Sequence, residues 1–172
     1  AYDDVIKSFT KISLNKNFKI EVSSKRYYPY SDLAAHVIGY VGKANSKEVA
    51  ADKIAKLTEY AGKTGIEKYY NRALEGNSGI KKTNVTAFNV ELDVLEKKLP
   101  ISQDVSLTLD IELQKYISQL FKGKSGAIIV MNAKNGKLLA AGSFPEYDLN
   151  NFVSGISEAE WKALSSDFNH PF

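Results

Sequence analysis

Cysteine is absent from the chain, and its absence excludes several kinds of site at once. A disulfide scaffold, a cysteine-based zinc site and a thiol nucleophile all need a thiol group. Histidine is scarce as well, because His36 and His170 are the only two and show no metal-ligand spacing. We interpret both as packing or surface residues and expect neither a metal nor a cofactor. A chain without thiols also suits an oxidising compartment.

Long apolar runs are absent too. No stretch approaches the roughly 18 apolar residues that span a bilayer, and residues 1–4 lack the regions of a signal peptide. We therefore expect a cytosolic protein, or an exported one whose leader has been removed. With 44% apolar and 25% charged residues the composition is that of a globular protein, and a net charge of +3 is too mild to indicate nucleic acid binding by itself.

Helical and strand-like periodicities are mixed along the chain, which predicts an α+β fold. Helices are predicted from apolar spacing and capping residues over 3–12, 33–38 and 46–57, after Asp110 and after Ser157. Strands are predicted over 18–22, 81–95 and 105–109. Asn135 and Gly136 separate two apolar runs, so they predict a tight hairpin turn in which both residues have positive φ.

The stretch Lys63-Thr64-Gly65 invites two catalytic interpretations. A phosphate-binding P-loop would need glycine at position 57, where the chain has leucine. The Lys-Thr-Gly motif of penicillin-recognising serine enzymes lies on a strand, whereas helical spacing follows it here. We predict instead that Thr64 and Glu67 form a capping box. The predicted structural motif is Thr64, Gly65, Glu67 and Gly76, with Gly76 ending the helix and Ile66 and Tyr69 or Tyr70 facing the core.

A serine acyl enzyme would also need Ser-x-x-Lys, in which the lysine takes the proton of the serine from one helical turn away. Three such pairs occur, namely Ser8 with Lys11, Ser13 with Lys16 and Ser78 with Lys81. A chain so rich in serine and lysine gives roughly two by chance, so the pattern has little weight. We assign no catalytic residue, and a complete small serine enzyme remains a rival hypothesis.

Residues 25–30, Lys-Arg-Tyr-Tyr-Pro-Tyr, form a basic aromatic run with three interpretations. Such aromatic residues most often pack in a core, less often form a protein interface, and least often stack on bases or sugars. A stand-alone polyanion-binding or nucleic-acid-binding module is therefore the alternative function.

Segments in a fixed order resemble class B penicillin-binding proteins. Those similar to the N-terminal pedestal of the family are 26–30 (RYYPY), 32–42 (DLAAHVIGYVG) and 62–70 (GKTGIEKYY). Those similar to the entry into its transpeptidase domain are 104–110 (DVSLTLD), 126–131 (GAIIVM) and 143–148 (SFPEYD). Residues 151–157 (NFVSGIS) resemble the elongation-type members. The order of the segments is more specific than any single motif.

The resemblance implies a pedestal domain over 1–100 and the start of a transpeptidase domain over 101–172, truncated before the catalytic serine. Full-length members are peptidoglycan D,D-transpeptidases that cross-link stem peptides through a serine acyl enzyme. One helix, absent from this chain, anchors them in the inner membrane, and they project into the periplasm. The implied role of the present chain is positioning and partner docking without catalysis.

The implied partners are the rod-shape scaffold protein MreC and the glycan polymerase RodA, with stem peptides as ligands of the full protein and no nucleic acid. Buried aromatic and aliphatic anchors dominate the energy of most interfaces. The residues predicted to bind a partner are Tyr27, Tyr28, Tyr30, Tyr40 and Val41.

Overall fold

The computed structural model describes residues 25–87, 91–98, 101–169 and 171. The helix predicted over 3–12, the strand predicted over 18–22 and His170 lie outside the described residues. The described helices are α1 (Ala35–Ile38), α2 (Ser46–Ala51), α3 (Lys53–Thr58), α4 (Gly65–Tyr69), α5 (Asn71–Glu75), α6 (Ile111–Leu120), α7 (Asn150–Val153) and α8 (Glu158–Ser166). The described strands are β1 (Val41–Lys43), β2 (Tyr60–Gly62), β3 (Ile80–Val85), β4 (Glu91–Lys98), β5 (Gly126–Met131) and β6 (Leu138–Phe144).

The described strands pair as three separate two-stranded antiparallel sheets, β1 with β2, β3 with β4 and β5 with β6. Helices connect or flank them, so the predicted α+β class is confirmed. Where the structure describes the chain, no helix has the length and apolar character needed to cross a bilayer.

The hairpin predicted around Asn135 and Gly136 is present, but its turn differs from the prediction. Gly136 has φ +71°, whereas Asn135 is not among the residues with positive φ. The Gly136 N–H donates to the Asn132 carbonyl, and the strand register shifts between Val130 and Met131. A longer loop with one left-handed residue therefore replaces the two-residue turn.

The helix predicted over 46–57 is divided in two at Asp52, whose backbone is extended at φ −128° and ψ 121°. Its start is set by a capping box that the sequence analysis did not include. The Asn45 side chain accepts from the Glu48 N–H at 3.0 Å, and Glu48 accepts from the Asn45 N–H at 2.7 Å.

The capping box predicted for Thr64 and Glu67 is wrong. Thr64 has the extended backbone of an N-cap, at φ −140° and ψ 171°, but its side chain makes no capping hydrogen bond. The helix also divides at Tyr70 into α4 and α5. Tyr69 is 81% exposed and Tyr70 is exposed as well, so neither faces the core. Gly76, with φ +67°, ends α5 as predicted.

The C-terminal half follows the local signals more closely. Asp110 caps α6, its side chain accepting from the Glu112 and Leu113 N–H groups, and a capping box of Ser157 and Glu160 starts α8. The strand predicted over 105–109 is wrong, because residues 102–110 lie in no strand. Their contact with β6 consists of bonds such as the Asp110 N–H to the Leu139 carbonyl at 2.7 Å.

Two apolar clusters form the described core. The first joins residues from both sides of position 100, namely Tyr28, Ala35, Tyr147, Leu149, Phe152 and Val153. The second lies between α6 and the β5–β6 hairpin and consists of Ile117, Ala140 and Phe144, with Leu113, Phe121, Ile128 and Val130 against it. The first cluster positions the candidate docking site.

Candidate docking site

The five predicted docking residues lie in different environments. Tyr27 is 72% exposed and Tyr30 is exposed, so both rings are accessible to a partner. Tyr28 is only 7% exposed and belongs to the first apolar cluster. Tyr40 and Val41 are half-buried, Val41 as the first residue of β1. The structure therefore leaves only Tyr27 and Tyr30 largely on the surface, and the Tyr30 ring lies 5.2 Å from Lys115 Nζ of α6 rather than against β1.

The Tyr28 hydroxyl links three elements. It donates to Glu67 Oε1 at 3.1 Å and accepts from the Val41 N–H at 3.0 Å. Burial, together with the negative charge of Glu67, raises the pKa of Tyr28 far above its usual value of 10. The phenol therefore keeps its proton, which it needs to serve Glu67 as a donor.

Glu67 accepts from Arg26 as well as from Tyr28. Its carboxylate is 6% exposed and lies 2.9 Å from Arg26 Nε and 3.2 Å from Arg26 Nη2. This geometry is the paired contact that guanidinium and carboxylate groups favour. Arg26, whose side chain is 38% exposed, is thus already paired within the chain, so one of the two cations of the basic aromatic run is less available to a polyanion.

Tyr40 packs against α7, which lies over a hundred residues later in the chain. Its ring centroid is 4.2 Å from that of Phe152, and the Phe152 ring meets Tyr147 at 5.5 Å. Burial raises the pKa of Tyr40 above its usual value. Tyr40 therefore contributes to the core on one side and offers only part of its surface to a partner.

Gly65 allows α4 to approach the end of α1. A Cβ at this position would lie 2.4 Å from the Val37 carbonyl oxygen, and φ at Gly65 is +55°. Only glycine combines that close backbone approach with a left-handed conformation at low cost. Gly65, a member of the predicted structural motif, therefore allows the close packing of α4 on α1. This packing places Glu67 beside Tyr28.

Two polar residues that hold this site were not found from the sequence. Asn71 closes the outer edge of β2, because its Oδ1 accepts from the Gly62 N–H at 2.7 Å. Asn150 binds the Tyr28 backbone through both ends of its amide. Neither has a local sequence signal, since each partner is distant along the chain or belongs to the backbone.

The motifs considered for catalysis do not assemble in the described residues. Ser78 is exposed in the loop before β3 and Lys81 lies on that strand, so they are not one helical turn apart. Lys63 forms an ion pair with Glu48 at 2.5 Å. His36 packs edge-on against Tyr147, and burial lowers its pKa. In the parts of the chain that the structure describes, no three metal-ligating side chains cluster.

The chain is similar to known proteins over most of its length. A family model for the Penicillin-binding Protein dimerisation domain matches residues 5–105. Peptidoglycan D,D-transpeptidase MrdA of Escherichia coli strain K12 is 41% identical over 154 residues, which cover 86% of this chain and 24% of that protein. Penicillin-binding protein 3 of Bacillus subtilis is 36% identical over 151 residues, covering 87% and 22%. The chain thus spans about a quarter of the length of the curated relatives it matches.

Two solved structures show the same similarity in three dimensions. One is a complex between PBP2 and MreC from Helicobacter pylori, with 44% identity and a TM-score of 0.88, covering 99% of this chain and 32% of that chain. The other is Pseudomonas aeruginosa PBP2 in complex with WCK 5153, with 32% identity and a TM-score of 0.71, covering 89% and 31%. The pedestal-type fold expected from the sequence is confirmed by these structures.

The family model covers more than half of the chain. The chain therefore belongs to the penicillin-binding protein family, within which it resembles the elongation-type members.

Proposed function

We propose that this chain is the positioning and docking part of a peptidoglycan D,D-transpeptidase of the cell-elongation machinery. The observation that carries the proposal is the fit of 99% of the chain to PBP2 of Helicobacter pylori at a TM-score of 0.88. In this proposal the pedestal spans 1–100 and the start of the transpeptidase domain spans 101–172. The catalytic serine belongs to the remainder of the longer relatives, which the present chain does not match.

The proposed partner is the scaffold protein MreC. The support is that the similar Helicobacter pylori protein is described in a complex with MreC, and that Tyr27 and Tyr30 are exposed. For the full protein the proposal also includes RodA as a partner and stem peptides as ligands. It further includes a single-pass anchor in the inner membrane and a location on the periplasmic side of that membrane. Their support is the family resemblance alone.

A fluorescent penicillin tests the catalytic half of the proposal. The 172-residue chain should remain unlabelled, whereas a full-length relative such as Escherichia coli MrdA should be acylated in the same assay. Covalent label on any serine of this chain would support a complete small serine enzyme instead. Replacing Ser8, Ser13 and Ser78 together would then show whether a Ser-x-x-Lys pair is responsible.

A binding titration with MreC tests the docking half. Tyr27→Glu and Tyr30→Glu should each weaken binding, by about tenfold, because exposed aromatic anchors contribute strongly to interfaces. Phe168→Glu is the matched control, since Phe168 is also an exposed aromatic residue but lies outside the predicted set. Equal affinity in all three variants would remove Tyr27 and Tyr30 from the docking surface.

The nucleic-acid alternative has no specific observation in its favour. Arg26, one of the two cations of the basic aromatic run, is paired with the buried Glu67 carboxylate. Salt-dependent binding to DNA or RNA at micromolar protein would revive it, because phosphate contacts always make binding sensitive to salt.

A further inference from the structure

We infer that Asn150, a residue of the C-terminal half, is a positioning residue for β1, which we call the docking strand because it begins at the predicted docking residue Val41, and that Asn150 acts through Tyr28. The inference rests on the proposed function only for its consequence for partner binding. Its structural part concerns three contacts in series: Asn150 with the Tyr28 backbone, the Tyr28 hydroxyl with Val41, and the same hydroxyl with Glu67.

The first contact is a two-way amide clamp. Asn150 Oδ1 accepts from the Tyr28 N–H at 3.0 Å, and Asn150 Nδ2 donates to the Tyr28 carbonyl at 2.9 Å. The amide is itself oriented by Asp148, whose Oδ1 accepts from the Asn150 N–H at 2.8 Å and from Nδ2 at 3.1 Å. Asparagine provides a donor and an acceptor on one rigid group, so it satisfies both backbone groups of Tyr28 as a neighbouring strand would.

The residues beside Asn150 hold the same part of the chain. The Leu149 N–H donates to the Ser31 carbonyl at 3.1 Å, and the Leu149 side chain is fully buried in the first apolar cluster. Phe152 lies in that cluster too, beneath Tyr40. Leu149 and the helix α7 therefore hold the segment 28–31 by hydrogen bonds and apolar contacts together.

The second and third contacts pass this placement to β1 and α4. The hydrogen bonds that flank the β1–β2 ladder run from the Lys63 N–H to the Tyr40 carbonyl and from the Ala44 N–H to the Glu59 carbonyl. In an antiparallel pair the intervening Val41 therefore points its N–H away from β2. The Tyr28 hydroxyl accepts from that N–H while donating to Glu67, so Tyr28 is the hydrogen-bond partner of the outer edge of β1 at Val41.

The consequence is a coupling between the docking strand and the C-terminal half. A partner that binds β1 in the position described above therefore binds the conformation in which Asn150 holds the Tyr28 backbone. By thermodynamic reciprocity, loosening Asn150 weakens that partner, and binding the partner strengthens the clamp.

Amide hydrogen exchange of the 172-residue chain, read by NMR at Val41, tests the inference without any partner. Asn150→Ala should speed exchange of the Val41 amide about tenfold, as expected when a net hydrogen bond is lost from a local opening. Asn151→Ala is the matched control, because Asn151 is the adjacent asparagine and its side chain is exposed. Asn151→Ala should leave the exchange rate of the Val41 amide unchanged.

A double-substitution cycle distinguishes positioning through Tyr28 from general destabilisation. Tyr28→Phe removes the hydroxyl and should by itself speed Val41 exchange, and adding Asn150→Ala should then produce little further change. Additive effects of the two substitutions, or an Asn150→Ala protein whose melting temperature falls while Val41 exchange stays normal, would overturn the inference.

If Asn150→Ala does not fold, Asn150→Asp keeps the acceptor for the Tyr28 N–H and should speed Val41 exchange less than tenfold. Unchanged exchange at Val41 in a folded Asn150→Asp protein would also count against the clamp. MreC affinity is measured separately: no binding by the wild-type chain would refute the docking proposal alone, whereas Asn150→Ala with normal exchange at Val41 would refute the positioning role alone.

Discussion

The region around β1, β2 and α4 and the region formed by α6 with the β5–β6 hairpin are stabilised in different ways. The first encloses a charged group, Glu67, between Arg26 and Tyr28. The second encloses Ile117, Ala140 and Phe144, with Phe121 stacked on Phe144 at 4.4 Å between centroids. The first region depends on partners far apart in sequence, whereas the second is assembled mainly from one helix and one hairpin.

The two regions should therefore differ in how they respond to substitution. Apolar burial is non-directional and tolerates small shifts, and it scales with the area removed from water. The buried Glu67 carboxylate depends on geometry, because it has lost most of its hydration and needs its donors on Arg26 and Tyr28 at hydrogen-bond distance. The polar region should be the more sensitive to small displacements, and the apolar region to loss of volume.

The largest effect is expected from Gly65→Ala, which tests the polar region through its backbone. The new Cβ would lie 2.4 Å from the Val37 carbonyl oxygen, so α4 must move away from α1 and take Glu67 with it. We expect a loss of about 4 kcal/mol in the free energy of unfolding, measured by urea denaturation. Gly123→Ala is the control, because Gly123 also has positive φ but has open space around it; it should cost about 1 kcal/mol. Equal losses of unfolding free energy in the two variants would mean that the close approach of Gly65 to Val37 does not contribute to stability.

Ile117→Ala tests the apolar region and should cost about 3 kcal/mol, since it leaves a cavity beneath β6. The side chain is 3% exposed and has no charge, so the loss should be the same at low and high salt. Leu120→Ala on the exposed side of the same helix should cost much less. A strongly salt-dependent loss at Ile117 would contradict the division into polar and apolar regions.

Glu67→Ala should cost about 2 kcal/mol, because it leaves the Tyr28 hydroxyl and a partly exposed Arg26 without their acceptor. The matched control is Glu112→Ala, whose side chain is 77% exposed and pairs with Lys115 at 2.7 Å. Exposed pairs of this kind contribute less than about 0.5 kcal/mol. Similar losses of unfolding free energy in Glu67→Ala and Glu112→Ala would show that the burial of Glu67 does not strengthen its ion pair.

The smallest expected effect depends on pH and concerns Glu146. Burial raises the pKa of this carboxyl from 4.5 to about 7, with a further contribution from the charge of Asp32. The folded state therefore holds its proton more tightly, so stability present below about pH 4.5 is lost as pH rises through about 7.

Glu146→Gln replaces the carboxyl by a neutral group of the same shape and removes this loss. Above pH 7 it should be more stable than the wild type by about 1 kcal/mol, after allowance for solvent screening, and equal to it near pH 4. Thermal melts at both pH values provide the measurement. His36, whose lowered pKa acts in the opposite direction, is unchanged between the two proteins and cancels in the difference. If the difference in stability between the two proteins stayed constant from pH 4 to above pH 7, the raised pKa of Glu146 would be refuted.

Local signals were sufficient for much of the C-terminal half. Asp110 and Ser157 act as caps because a capping side chain bonds to backbone within three residues of itself. The β5–β6 hairpin follows from two apolar runs separated by a short polar loop. The order of the matched segments also indicated the family, since order is carried by the chain itself.

The same reasoning failed where a local and a distant partner compete for one side chain. Glu67 has the spacing of a capping box with Thr64, yet it binds Arg26 and Tyr28, which offer a cation and a hydroxyl in a buried position. Tyr28 and Tyr40 pack against α7, a contact that no local pattern in the sequence indicates.

The sequence by itself determined the starts of α6 and α8, the β5–β6 hairpin, the α+β class and the family, because those depend on neighbours along the chain or on the order of segments. Only the tertiary structure decided which tyrosines are buried, what Glu67 binds and that Asn150 holds Tyr28. Those outcomes depend on which distant group meets a buried polar atom, and a buried polar atom is bonded wherever a partner can reach it.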